Sequence, residues 1–106
     1  MHIGIDLVKI DRINIYNESF LEKVLSKEEF KIFESENKKE EFLAGRYALK
    51  EAIIKTFEGK KVVLMNEINI RKDENGVPSC EYENYNIIGS ISHDGEYAVA
   101  VAIRME

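Results

Sequence analysis

The chain has 106 residues, 33% of them charged, one proline and a net charge of -5 at pH 7, which is the make-up of a single folded domain (1–106) with one core rather than of a disordered segment. That acidic balance excludes nucleic acid as the main partner, because phosphate binding needs a basic surface, and leaves any acidic partner to find a local basic patch. The lone Cys80 excludes an internal disulfide, the absence of clustered histidines excludes a zinc site, and no stretch has the form of a signal peptide or a membrane span, so a soluble, unprocessed, cytoplasmic protein is expected.

Residues 1–10, MHIGIDLVKI, are β-prone and predict a first strand whose apolar positions are Ile3, Ile5, Val8 and Ile10. Asp6 stands out there as a carboxylate among aliphatics, which needs a partner or a cation; by itself it suggests a cap or a salt bridge. Asp11 is placed to N-cap a short helix through Ile13 and Tyr16, and a second helix is expected from Asn17 or Ser19 with Phe20, Val24 and Leu25. Ser26 and Glu29 have capping-box spacing and open a third short helix with Phe30 and Phe33 on one face. Lys23, Lys27 and Lys31, four apart, predict a basic row, which on the residues alone is a solvated face among Glu22, Glu28, Glu29 and Glu34.

The polar stretch 36–41 leads into FLAGRYALKEAIIKTF at 42–57, a long helix expected to run to about Glu58 and stop at Gly59. At 3.6 residues per turn Phe42, Leu49, Ala52 and Ile53 fall on one side and Leu43, Tyr47 and Ile54 on another, so the helix expects cover on both. Arg46 and Lys50 form one charged row, and Glu51 and Lys55 belong to another. The plain reading of Glu51 and Lys55 is an i,i+4 salt bridge worth about 0.2–0.5 kcal/mol.

After Gly59 the period changes to two. Val62, Leu64, Ile68 and Ile70 predict a strand pair or a strand bent at 65–67, Asn75-Gly76 a hairpin turn, and 79–85 an exposed returning strand behind Pro78. The segment 86–104 predicts two strands joined at Asp94-Gly95. In the last of them Tyr97, Val99, Val101 and Ile103 oppose Ala98, Ala100 and Ala102, an alanine ladder that suits either a close subunit contact or helix packing within one chain. His93 ends the preceding strand beside the turn, where a lone histidine is ordinarily structural. No repeat, P-loop or GxGxxG element occurs.

Three blocks in this order, GIDLVKIDRI at 4–13, FLAGRYALKEAIIK at 42–55 and SISHDGEYAVAVAI at 90–103, resemble the holo-acyl-carrier-protein synthases, the small bacterial class of 4'-phosphopantetheinyl transferase. The resemblance covers nearly the whole chain. It implies an α+β fold, with an antiparallel sheet packed around one long central helix plus short helices. It also implies a homotrimer with sites between subunits, coenzyme A as donor, and magnesium-dependent transfer of phosphopantetheine to a serine of an acyl carrier protein in support of fatty acid biosynthesis.

By matching position, the resemblance makes Asp6 and Glu51 the metal-binding carboxylates. It puts Lys50 and Lys55 beside them, and counts Arg46 and His93 with Lys50 among the residues binding coenzyme A. Magnesium prefers oxygen ligands and takes only one or two protein carboxylates, with phosphates and water completing its shell. Asp6, Glu51 and Lys55 are therefore the expected catalytic residues, with Glu51 as base for the serine proton. The family docks its acidic carrier on basic residues of the first helices, here Arg12 and Lys23, with Lys27 beside them. Lys9 stands where many relatives have glutamate, and Glu58-Gly59-Lys60 where many have Gly-Thr-Gly, with a trimmed loop expected between 58 and 68. The alternative is a degenerate homologue that binds coenzyme A or the carrier without turnover.

Overall fold

The structure is a computed structural model that describes all 106 residues. It runs β1 (His2–Lys9), a 3-10 turn (Ile10–Arg12), α1 (Glu18–Val24), α2 (Lys27–Glu34), α3 (Lys39–Lys55), a second 3-10 turn (Met65–Glu67), β2 (Asn69–Lys72), β3 (Pro78–Glu81), β4 (Asn86–Asp94) and β5 (Tyr97–Met105). The five strands form one antiparallel sheet in the order β1-β5-β4-β3-β2. This is the expected α+β arrangement.

Alternation along the strands decides how the layers stack. Ala98, Ala100 and Ala102 of β5 are fully buried beneath α3, so the alanine ladder serves helix packing within the chain. Small side chains on that face let a helix lie close to the sheet. The opposite side of α3 is covered by α1, α2 and the second 3-10 turn, contributing Leu21, Val24, Phe33 and Met65 to a single hydrophobic cluster. Cover on both sides is what its two apolar faces require. Its end is closed by Arg104, whose Nη2 donates to the Thr56 carbonyl at 3.0 Å while the guanidinium lies over the Phe57 ring, a cation satisfying a C-terminal carbonyl.

Several local expectations are corrected. On β1 the helix-facing residues are Gly4, Asp6 and Val8, while Ile3, Ile5 and Leu7 are 68%, 62% and 63% exposed on the open face. Asp6 is therefore in phase with the core. Asp11 caps no helix: it sits within the 3-10 turn, and Tyr16 lies outside any helix. Asn17 caps α1 through Phe20 N–H, and the Ser26–Glu29 capping box forms as expected. α3 ends at Lys55, and residues 62–64 form no strand, leaving Val62 exposed. The strand after Pro78 stops at Glu81 and is not wholly exposed, since Cys80 and Tyr82 are buried.

Gly4 is the point of closest approach between β1 and α3. A Cβ there would lie 2.0 Å from the Ala52 carbonyl oxygen, and neither backbone can yield without moving the whole helix. Gly4→Ala is expected to cost about 3 kcal/mol, the upper end for overpacking, read as a lowered midpoint in chemical denaturation.

Candidate active site

Because Gly4 admits the helix, the neighbouring inward residue of β1, Asp6, meets the C-terminal half of α3. Lys55 Nζ donates to Asp6 Oδ1 at 3.1 Å and to the Ile5 carbonyl at 2.8 Å. The expected Glu51–Lys55 bridge does not form, since Lys55 is drawn to the strand instead. Glu51, half-buried one turn earlier, has no ion-pair partner in the chain. Burial and then the charge of Asp6 raise its carboxyl above the ordinary range, against the pull of Lys55 and Lys23. The two carboxylates open on a cleft of about 330 Å³ whose wall includes Lys9, Arg12, Phe20 and Tyr47. Two acids and two cations share its lining.

Arg46 and Lys50 project to the other side of α3. Both are buried, and both meet Glu29: Arg46 Nε lies 3.1 Å from Oε2, and Lys50 Nζ donates to Oε1. Lys50 also donates to the Val24 carbonyl at 2.7 Å, and the Ile70 N–H donates to Glu29 Oε2 at 3.2 Å. Glu29 and Lys50 together thereby tie α1, α2, α3 and β2 to one another. Burial lowers the pKa of both cations, and Glu29 opposes that shift. The expectation that Lys50 stands beside Asp6 and Glu51 is corrected, and the charges expected to clamp coenzyme A are sequestered in the interior.

His93 is placed elsewhere again. Its register partner is Ala98, which pairs in turn with Val8, so His93 lies two strands from β1, about 10 Å across the sheet. Its Nε2 is 3.1 Å from the Glu41 carbonyl, near the start of α3, in an opening of about 550 Å³ that also includes Lys38 and Lys72. Within one chain His93 and the Asp6–Glu51 cleft are separate sites. Of the basic row, Lys23 belongs to α1 and faces Glu51, whereas Lys27 and Lys31 belong to α2 and share a neighbouring groove of about 560 Å³ with Phe30.

Residues 2–102 match the family model of the 4'-phosphopantetheinyl transferase superfamily. The chain belongs to this superfamily. It is 45% identical over 105 residues to the holo-[acyl-carrier-protein] synthase of Mycoplasma capricolum, covering 97% of this chain and 93% of that protein. The corresponding enzyme of Staphylococcus aureus is 42% identical over 110 residues, covering 95% and 92%. A holo-(acyl-carrier-protein) synthase from Bacillus anthracis, solved in complex with CoA (3',5'-ADP), superimposes with a TM-score of 0.86 at 33% identity over 97% of this chain and 94% of that one. The Helicobacter pylori enzyme, solved in complex with coenzyme A, gives 0.82 at 32% identity over 97% and 99%.

Two residues of this transferase chain that matter to its site carry weak sequence signals. Tyr47, four positions before Glu51, is legible as an apolar helix position, and only the cleft reveals it as part of the wall. Glu29 is legible as a capping-box residue, whereas its burial depends on three other elements converging. Removing that carboxylate strands two buried cations, so Glu29→Ala is expected to cost about 3–5 kcal/mol, measured by urea unfolding against the wild type.

Proposed function

We propose that this chain transfers 4'-phosphopantetheine from coenzyme A to a serine of an apo acyl carrier protein, releasing adenosine 3',5'-bisphosphate, and that the Asp6–Glu51 cleft is where the transfer takes place. The observation that carries this is the unpaired, half-buried Glu51 facing Asp6 across a cleft with Lys55 alongside. The donor set fits magnesium. No group of three or more His, Cys, Asp or Glu side chains comes together anywhere in the chain, and a hard cation that takes one or two carboxylates suits a two-carboxylate site better than zinc or calcium does. Asp6 and Glu51 would hold it. When bound it would neutralise charge on the pyrophosphate of the donor.

The residues of the chain supply the rest. The raised pKa of Glu51 makes it a better proton acceptor for the attacking serine. Lys55 spends two of its three donors on Ile5 and Asp6, leaving one for a phosphate oxygen. Lys9, Arg12 and Lys23 form the basic approach for an acidic carrier, extended by Lys27 and Lys31 in the adjoining groove. This reading makes the chain a cytoplasmic enzyme serving fatty acid biosynthesis; no helix in it is long and apolar enough to cross a membrane.

The same reading calls for a homotrimer. The side of the sheet away from α3 carries rows Ile3–Ile103–Ile88, Ile5–Val101–Ser90 and Leu7–Val99–Ser92, with no element of the chain covering Ile3, Ile5, Leu7 or Ile88. An apolar patch of this kind marks an association surface. In such an assembly, with sites between subunits, a neighbour would supply the cationic contacts to coenzyme A that Arg46 and Lys50, held by Glu29, do not.

Intact-protein mass spectrometry of an apo acyl carrier protein, incubated with this chain, coenzyme A and magnesium, tests the central reading. One added phosphopantetheine is expected, lost with a chelator and reduced about 100-fold or more by Asp6→Ala or Glu51→Ala. Coenzyme A binding without any mass gain across several bacterial carriers would replace this reading with that of a non-catalytic binder. For the assembly, sedimentation velocity is expected to show a trimer that Ile5→Lys dissociates with loss of transfer; a fully active monomeric wild type would refute it.

A further inference from the structure

Tyr47 is the one uncharged side chain on the wall of the Asp6–Glu51 cleft that can donate a hydrogen bond. It lies four residues before Glu51 on α3, so the two side chains leave the same face, separated by about 6 Å of helix rise. Its ring rests on Phe20 of α1 with centroids 5.4 Å apart and planes at 50°, and both residues line the cleft. Burial, then the negative charges of Glu51 and Asp6, raise the pKa of that hydroxyl, with no hydrogen bond contributing. The phenol makes no hydrogen bond within the chain, so its donor is free in a cleft shared with two carboxylates that can only accept.

A serine oxygen entering this cleft has one proton to give and two lone pairs. One lone pair must attack phosphorus. The other is free to accept an ordinary O–H···O bond of about 2.7–2.8 Å, and Tyr47, one turn from Glu51 on the same face of α3, carries the uncharged donor of this wall. We infer that the Tyr47 hydroxyl donates a hydrogen bond to the accepting serine oxygen and thereby turns the serine's own O–H toward Glu51. This rests on the transferase reading. As the serine oxygen forms its bond to phosphorus, the pyrophosphate P–O bond breaks, the serine proton passes to the Glu51 carboxylate, and adenosine 3',5'-bisphosphate leaves with the bonding electron pair. Tyr47 keeps its own proton throughout and acts by orientation.

Tyr47→Phe removes one oxygen and retains the ring against Phe20, so a thermal melt matching the wild type is expected. With full-length protein, apo carrier, coenzyme A and magnesium, initial rates by intact-protein mass spectrometry are expected to show kcat reduced about tenfold, the loss of one hydrogen bond made to the reacting group. The KM for coenzyme A should stay within twofold, because the hydroxyl serves the acceptor. An active wild type with a Tyr47→Phe kcat within twofold of it overturns this inference alone. A loss confined to the KM for coenzyme A also overturns it, by placing the hydroxyl on the donor. A wild type that transfers nothing overturns the transferase reading, and the role of Tyr47 with it.

Discussion

The contact on which the rest of the structure depends is the seating of α3 on the inner face of β1 and β5. That face is made of Gly4, Ala98, Ala100 and Ala102, residues with little or no side chain, so the helix axis can come close enough for the Ala52 carbonyl to occupy the space of a missing Cβ. Asp6 follows Gly4 on the same face of β1 and has nowhere to project except toward that helix. Its meeting with Lys55, and its electrostatic coupling to Glu51, are consequences of this packing. The two carboxylates of the candidate site thus stand on a strand and a helix held together by backbone contact, the more precise kind of support for a site.

The helix separates adjacent charges by function. Lys50 and Glu51 are neighbours in sequence, yet one is fully buried against Glu29 and the other borders the cleft. A turn of about 100° per residue is enough to send them to opposite surroundings. The interior cluster is a costly arrangement, because two cations and one carboxylate must be desolvated together and are held only while every hydrogen bond is made. What it provides is orientation: Glu29 accepts from α3 and from the Ile70 backbone while closing the capping box of α2. The short helices are thereby locked against the sheet, and Phe20 with them against Tyr47.

The single chain leaves one face of its sheet uncovered and sets its two openings at different ends of α3. A sheet of five strands buries only one face, leaving a strip of isoleucine, leucine and valine open. The opening at His93, lined by Lys38 and Lys72 and also by Glu36 and Glu41, lies at the far end of α3 from the carboxylates, with the helix itself as the spacer. In the proposed assembly the apolar strip would be buried between subunits.

Much of the architecture was legible from residue pattern. Capping residues Asn17 and Ser26 announced two helices, Asn75-Gly76 and Asp94-Gly95 marked turns, and the length and two apolar faces of 42–57 announced a helix covered on both sides, because these signals are local and act within a few residues. The pairing of Asp6 and Glu51 was legible only through resemblance, since nothing in the spacing of residues 45 apart states that they meet. What the sequence by itself determined is the long helix, the two capped short helices and the tight turns, with the acidic balance and the isolated charges in apolar segments. Only the tertiary structure decided the phase of β1, which placed Asp6 inward and Ile3, Ile5 and Leu7 outward. It alone sent Arg46 and Lys50 to Glu29, and drew Lys55 from its helical neighbour to the strand. The physical reason is that a charged side chain takes the partner that packing brings nearest, and packing is settled by which faces of distant elements can approach.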